Sequence, residues 1–291
     1  MPERLSVHRI AWRTVIKGAA AASAIVAVLA AAQTLAAEPA RPFSPHDLVT
    51  MDRVSDPNSS PDGKQVAYQL RETDLEGNKG VTSLWLAADG VVRALTAPGS
   101  NRSPRWRRDG RMLYFLSGRS GSEQVWRLDL RGGDAQQVTH APLDIGSFVL
   151  APDGRHLLVS IEVFQDCETL DCSKQRLEER AAHKSAGQTY DQLFVRHWDR
   201  WSDGTRSQLF AFVLDDQGNA QGAPLWISRG IDADIPSKPE GDDSEYTFTP
   251  DSREVIFAAR VAGRTEPWST NFDLLSARIG RRCRTQQSHR G

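Results

Sequence analysis

Four short stretches of this sequence open in nearly the same way. They are Ser60-Pro61-Asp62-Gly63, Arg107-Arg108-Asp109-Gly110, Ala151-Pro152-Asp153-Gly154 and Thr249-Pro250-Asp251-Ser252. Each leads into an apolar run of strand type: Gln65 to Leu70, Met112 to Leu116, His156 to Ile161 and Glu254 to Ala259. An Asp-Gly pair is tight-turn chemistry, because both residue types tolerate positive φ. After the second turn, Gln124 to Leu130 alternates, with Val125, Arg127 and Asp129 on one side and Trp126, Leu128 and Leu130 on the other. A further turn, Arg131-Gly132-Gly133-Asp134, then precedes a closing strand that ends Gln137-Val138-Thr139. One such sheet buries only part of its own surface, so the recurrence decides the architecture.

The four aspartates stand 47, 44 and 98 residues apart. Steps of roughly 40–50 residues, each holding about four strands, are the period of propeller blades. The long third step contains a strand pair, Gln208–Leu214 and Pro224–Ser228, and reads as one blade carrying an insertion. Two degenerate blades would fill the same length, and a β-sandwich with coincidental turns is the competing architecture. The expectation is an all-β fold, an incomplete β-propeller of about four blades over residues 38–275, with one helical and loop insertion over 165–206.

Charge excludes one class of partner. The 291 residues carry 36 basic and 37 acidic side chains, interspersed, for a net charge of −1. No polyanion-binding surface is implied, so nucleic acid is not an expected partner. At the N-terminus, Arg4, Arg9, Arg13 and Lys17 precede an alanine-rich apolar run from Gly18 to Ala32, and Thr34-Leu35-Ala36-Ala37 follows. This is the layout of a secretory signal over residues 1–37, with cleavage near Ala36 or Ala37. A membrane anchor is the other reading, but such a run is short and weakly apolar for a span of ~20 residues. A periplasmic or secreted protein, without a membrane segment after signal removal, is expected.

Export favours a disulfide between Cys167 and Cys172, which sit as C-x4-C inside the insertion. A zinc site would need two further ligands, and His183 is the only histidine close by, so no metal is expected. Within the insertion, Ser173 to Ala182 favours a short helix with Ser173 as its cap. Leu193 to Leu214 then carries Trp198, Asp199, Arg200 and Trp201 into an Asp203-Gly204 turn and a strand. Insertions in repeat folds often hold function. Glu168, Glu178 and Glu179 are candidates to meet a peptide amine, and Trp198 with Asp199 to line the substrate side. Solvated surface is the plainer reading of all five.

From Ser276 to Gly291 the alternation stops, and five arginines appear without an acid. The expected third strand, turn and closing threonine are missing, so an irregular basic tail is the expectation for 276–291; a tail that binds a partner is one reading, and a frameshifted or truncated reading frame is the other. Chemistry is equally sparse. The pentapeptide G-x-S-x-G is absent; Gly118-Arg119-Ser120-Gly121-Ser122 has the wrong spacing and sits in a hairpin loop. H-E-x-x-H and the phosphate-binding G-x-x-x-x-G-K-[ST] are absent too. No cofactor and no catalytic residue is expected.

The Pro-Asp-Gly/Ser starts, the closing Val-Thr or Leu-Thr pairs, the segment Arg196 to Phe210 and the segment Glu266 to Leu274 carry a resemblance. They are similar to the propeller of bacterial prolyl-oligopeptidase-family serine peptidases, nearest the dipeptidyl-peptidase V and acylaminoacyl-peptidase-like subgroup, over about Phe43 to Leu274. In that family the propeller precedes an α/β-hydrolase domain with a Ser-Asp-His triad and restricts entry to short peptides. No position here matches the triad motifs. The resemblance implies a non-catalytic, substrate-gating propeller of an exported exopeptidase, without its hydrolase half and inactive alone. The alternative is a Tol-like periplasmic propeller acting in protein–protein interaction. Open blade edges are expected to favour self-association.

Overall fold

In the computed structural model, the described residues are 41–184, 187–191 and 193–280, with the backbone of 286–287. The leader expected over 1–37 and most of the 276–291 tail lie outside them. The chain divides into two compact units, residues 1–49 and 50–291. Helix α1 (Pro45–Thr50) begins where Ser44 Oγ accepts the Asp47 N–H at 3.3 Å and Asp47 Oδ2 accepts the Ser44 N–H at 2.7 Å. That reciprocal pair is a capping box.

The blades are four antiparallel sheets of four strands each. Blade 1 comprises β1 (Arg53–Ser59), β2 (Gln65–Asp74), β3 (Lys79–Ala88) and β4 (Val91–Ala94). Blade 2 comprises β5 (Asn101–Trp106), β6 (Met112–Ser117), β7 (Gln124–Asp129) and β8 (Gln136–Gln137). Blade 3 is one sheet: β9 (Ile145–Leu150), β10 (His156–Val163), β13 (Arg206–Leu214) and β14 (Ala220–Trp226), with β10 and β13 paired along eight residues. The long third step is therefore a single blade. Its insertion, between β10 and β13, holds helix α2 (Leu170–Ala182) and the small hairpin β11 (Arg196–His197) and β12 (Arg200–Trp201). Blade 4 has β15 (Tyr246–Phe248), β16 (Glu254–Ala259), β17 (Asp273–Arg278) and β18 (Gln286–Gln287).

The repeated aspartate builds the same turn four times. Asp62, Asp109, Asp153 and Asp251 each accept, through Oδ1, the N–H two residues on, at 3.1, 2.9, 2.8 and 3.1 Å. The residue between sits at positive φ: Gly63 +71°, Gly110 +67°, Gly154 +71° and Ser252 +60°. The closing hydroxyl is also structural. Thr96, Thr139 and Ser228 accept the N–H of Leu84, Val125 and Leu209, each at 2.9 Å, so the outer connection is tied to the third strand of its blade.

Period-two alternation sends successive side chains to opposite blade faces. Along β6, Leu113 and Phe115 pack with Ala67, Leu84 and Leu86 of blade 1, while Tyr114 and Leu116 pack toward Phe148, Leu157 and Val159 of blade 3. Leu158, Leu209 and Ala211 of blade 3 meet Val255, Phe257 and Leu275 of blade 4. The core is thus three interblade layers. Each fully buried Leu, Ile or Phe contributes roughly 1.5–3 kcal/mol, which makes these layers the main source of stability.

Three expectations are revised. The second unit gains a first strand, Asn101–Trp106, whose pattern is hidden by Pro104, by Ser103 at φ +56° and by a register shift between Arg102 and Arg105. The cap of α2 is Thr169, not Ser173: Thr169 Oγ1 accepts the Cys172 N–H at 3.2 Å, and Ser173 is buried inside the first turn. The strand rhythm also continues beyond residue 275, because β17 runs to Arg278 and pairs with β18 through Leu275–Gln287 and Ser276–Gln286.

Candidate functional site

The insertion is anchored at both ends and most exposed at its tip. At its entry, Phe164 is buried, and its N–H donates to Ser173 Oγ at 3.1 Å. The guanidinium groups of Arg176 and Arg180 each lie 4.6 Å from the Phe164 ring centre. Arg176 also donates to Asp166 at 2.7 Å, and that bond lowers the Asp166 pKa. Cys167 and Cys172 are joined as a disulfide that closes the chain over the first turn of α2. Arg180 Nη1 donates to the carbonyl of Asp203, tying the helix end to the returning chain.

At the exit, Arg206 opens β13 inside an ionic cluster. Its Nη1 donates to Asp234 Oδ2 at 2.9 Å and its Nη2 to Glu266 Oε2 at 2.7 Å, with Asp232 3.3 Å from Nε. Lys238 lies 3.3 Å from Glu162 and 3.6 Å from Asp234, and Arg260 lies 3.3 Å from Glu266. Burial disfavours the Arg206 charge, but the hydrogen bond to Glu266 and the charges of Asp234 and Glu266 outweigh it and raise its pKa. Glu266 shows the mirror image. Burial pushes its pKa up, and Arg206 overrides that and lowers it. Blades 3 and 4 and the insertion's end are thereby fixed to one another.

Between these anchors lies the β11–β12 hairpin, with Trp198 at φ +51° in its turn and 77% exposed. Trp201 stacks on Tyr190 at 6.1 Å, with the Arg196 guanidinium 5.4 Å from its ring, and Phe194 stacks on His197 at 5.5 Å. The sequence candidates are spread over this insertion. Glu168 is exposed and pairs with Arg229 at 3.2 Å. Glu178 lies 3.8 Å from Lys174, and Glu179 Oε1 accepts from Gln175 Nε2 at 2.8 Å, so both serve intrahelical contacts on the outer side of α2. Asp199 is exposed beside Trp198 at the hairpin tip. Glu178 and Glu179 share helix α2, Trp198 and Asp199 share the hairpin, and Glu168 lies apart from both in the loop before the helix.

Sequence reasoning missed the Arg206–Asp234–Glu266 cluster. Its members are 28 and 60 residues from Arg206, so no local spacing marks them. A second cluster was missed for the same reason. Arg105 donates to Asp56 at 2.9 and 3.0 Å and to Asp243 at 2.7 and 2.9 Å, joining the first strands of blades 1 and 2 to the turn preceding β15. Among the described residues, no group of three or more His, Cys, Asp or Glu side chains is placed to hold a metal ion. Nor does any helix among them have the length and apolarity to cross a membrane. What the insertion offers chemically is an anchored base from which aromatic rings, carboxylates and guanidinium groups are exposed to solvent.

Comparison with known proteins places these blades. No family model matches the chain. Dipeptidyl-peptidase 5 of Porphyromonas endodontalis is 30% identical over 236 residues, which is 80% of this chain and 33% of that protein. Dipeptidyl-peptidase 5 of Porphyromonas gingivalis is 26% identical over 236 residues, with the same coverage. The acylaminoacyl peptidase of Pyrococcus horikoshii matches in structure with a TM-score of 0.56 at 16% identity, over 86% of this chain and 34% of that one. The chain spans about a third of the length of the curated relatives it matches. The fold is that of peptidase propeller regions, and the sequence relatives are peptidases.

Proposed function

We propose that these blades act as the non-catalytic, substrate-gating part of an exported serine exopeptidase of the dipeptidyl or acylaminoacyl type. The observation that carries this reading is the 30% identity to a dipeptidyl-peptidase 5 over 236 residues. In the resembled family the propeller stands over an α/β-hydrolase domain, and the triad belongs to that domain. The blades would then supply a rim and a rigid insertion, not a nucleophile. The leader-like pattern of residues 1–37 and the Cys167–Cys172 disulfide support export.

Within this reading, short peptides are the ligand, and the hairpin carrying Trp198 and Asp199 is the substrate-facing element. The test is a chimera in which these blades replace the matching region of the P. endodontalis enzyme. Hydrolysis of dipeptidyl and acylaminoacyl chromogenic substrates, with rejection of folded proteins, supports gating. Loss of the preference for short substrates in an otherwise active chimera refutes it. The purified chain itself is expected to turn over neither substrate, and turnover blocked by a serine-directed inhibitor overturns the non-catalytic reading.

A further inference from the structure

Helix α2 is held at its two ends rather than along its length. Of its residues only Ser173 is buried, and the Ser173 hydroxyl already accepts the Phe164 N–H at 3.1 Å. A helix with so little apolar cover is not ordered by its own propensity. Its start is fixed by the Cys167–Cys172 bond. Its last turn is fixed by Arg180, which lies 4.6 Å from the Phe164 ring centre and donates to the carbonyl of Asp203. The two sulfurs are unequally placed. Cys167 is 1% exposed, whereas Cys172, on the first turn of the helix, is partly exposed. A thiolate arriving from solvent therefore meets Cys172, and exchange follows access.

From Arg180 the contacts run on into the hairpin. Asp203 is the second residue after β12, and its Oδ1 accepts the N–H of Thr205 at 2.9 Å and the Thr205 hydroxyl at 2.6 Å. The preceding Ser202 N–H donates to the carbonyl of Val195, across the hairpin, at 3.0 Å. The ring contacts of Tyr190 with Trp201 and of Phe194 with His197 are made within the insertion. The run stops at Arg206. That residue is bonded to Asp234 and Glu266, and β13 pairs with β10 along eight residues, so the blade is held independently of the helix.

We propose that Cys167–Cys172 is a redox latch: a dithiol reductant opens it, and the loss of order passes along α2 through Arg180 and Asp203 to the β11–β12 hairpin while the blades stay folded. A thiolate of the dithiol attacks the Cys172 sulfur, the S–S bond breaks, and Cys167 leaves with the electron pair and takes a proton. The second thiolate of the dithiol attacks the reductant's own sulfur in the mixed disulfide. Cys172 is released and takes the second proton. Two electrons and two protons pass to the protein, and the dithiol becomes a disulfide. Reoxidation reverses both steps. Because the gating reading sets the hairpin before the substrate, the latch regulates that gate; this consequence rests on that reading, and the latch itself does not.

The test is hydrogen exchange read by mass spectrometry on the full chain, oxidised, after dithiothreitol and after reoxidation, with thiol titration fixing each state. Reduction is expected to raise exchange by about tenfold or more over 168–183 and 196–205. The strands β10 and β13 should stay as protected as before, and reoxidation should restore the first pattern. Arg180→Ala separates a latch from a bond that only staples the helix, with circular dichroism confirming the folded state. In the oxidised variant α2 should remain protected while 196–205 already exchanges as in reduced wild type. Sulfurs that dithiothreitol reaches only when the blades unfold overturn the proposal. So do an α2 that ignores reduction, a hairpin that stays protected when α2 is released, and an oxidised Arg180→Ala hairpin as protected as that of wild type. Exchange is measured without substrate, so failure of the gating reading leaves this result standing.

Discussion

Ser252, held at φ +60°, uses its hydroxyl to accept the backbone N–H of Asp153 at 3.0 Å. The other three repeats place glycine at this position, which is the residue that adopts positive φ without a Cβ penalty. Blade 4 accepts that penalty, of roughly 1–2 kcal/mol, and in return ties its turn to the turn of blade 3. Ser252→Ala keeps the strain and strands the Asp153 N–H, so it is expected to lower unfolding stability by about 1–3 kcal/mol. Ser252→Gly loses the same bond but relieves the backbone, and should fall between wild type and Ser252→Ala. Urea midpoints decide the order: an alanine variant as stable as wild type would show that the hydroxyl bond contributes nothing, and one as stable as the glycine variant would show that the positive φ carries no strain.

Arg105 should matter more than any exposed ion pair. Its side chain is 19% exposed and divides its donors between Asp56 and Asp243, which are 32% and 19% exposed. Removing one partner from a buried ionic group costs about 3–5 kcal/mol, less where water reaches the group. Arg105→Ala is expected to cost about 2–4 kcal/mol on that basis, because two carboxylates then face each other without a cation. Adding Asp243→Asn to Arg105→Ala should recover part of the loss. Denaturation of the two variants measures this, and equal stabilities would contradict the repulsion argument.

How far the sequence reveals this fold depends on the range over which each signal acts. The turn aspartates are legible because each satisfies an N–H only two residues away. The second and third strands follow from period-two alternation. The first strands are obscured, since β1 and β5 contain Pro57 and Pro104 and residues at positive φ, Asp56 and Ser103, where the register shifts. The cap of α2 lies four residues before the serine with the most evident capping chemistry, because the Ser173 hydroxyl accepts the Phe164 N–H and Thr169 caps the helix. The site is less legible than the fold. Glu168, Glu178, Glu179, Trp198 and Asp199 follow from the insertion's composition, whereas Arg105 meets Asp243 across 138 residues.

Helix α2 has one buried residue, Ser173, and a largely polar sequence, with Leu170 partly buried against the core. A 13-residue helix of that kind is marginal in water on its own, so its order depends on the contacts at its start. The disulfide Cys167–Cys172 fixes that first turn. Closing so short a loop contributes about 2 kcal/mol in the chain-entropy account. Cys167→Ser with Cys172→Ser should therefore raise hydrogen exchange and proteolysis over 166–184 while the blade strands stay protected. Unchanged protection of α2 would mean that the Phe164 cage of Arg176 and Arg180 holds the helix unaided.

The Arg206–Glu266 pair predicts an acid limit to stability with a defined sign. A glutamate in the unfolded chain titrates near ~4.3, and Arg206 lowers the folded-state value of Glu266 below its ordinary range. As pH falls, the unfolded chain takes up this proton first. The pair's contribution is thus complete above the unfolded pKa and is lost as pH drops through the folded one. Stability should decline from about pH 4.3 downward. Glu266→Gln removes the titration and leaves Arg206 to Asp234, so it should cost about 1.5–3 kcal/mol at neutral pH, the usual worth of a hydrogen bond to a charged group. The difference between the two proteins should then shrink steadily on acidification. Urea unfolding at pH 7 and at successive steps down to pH 3 tests both parts. Parallel stability curves for wild type and variant would remove Glu266 as the titrating group.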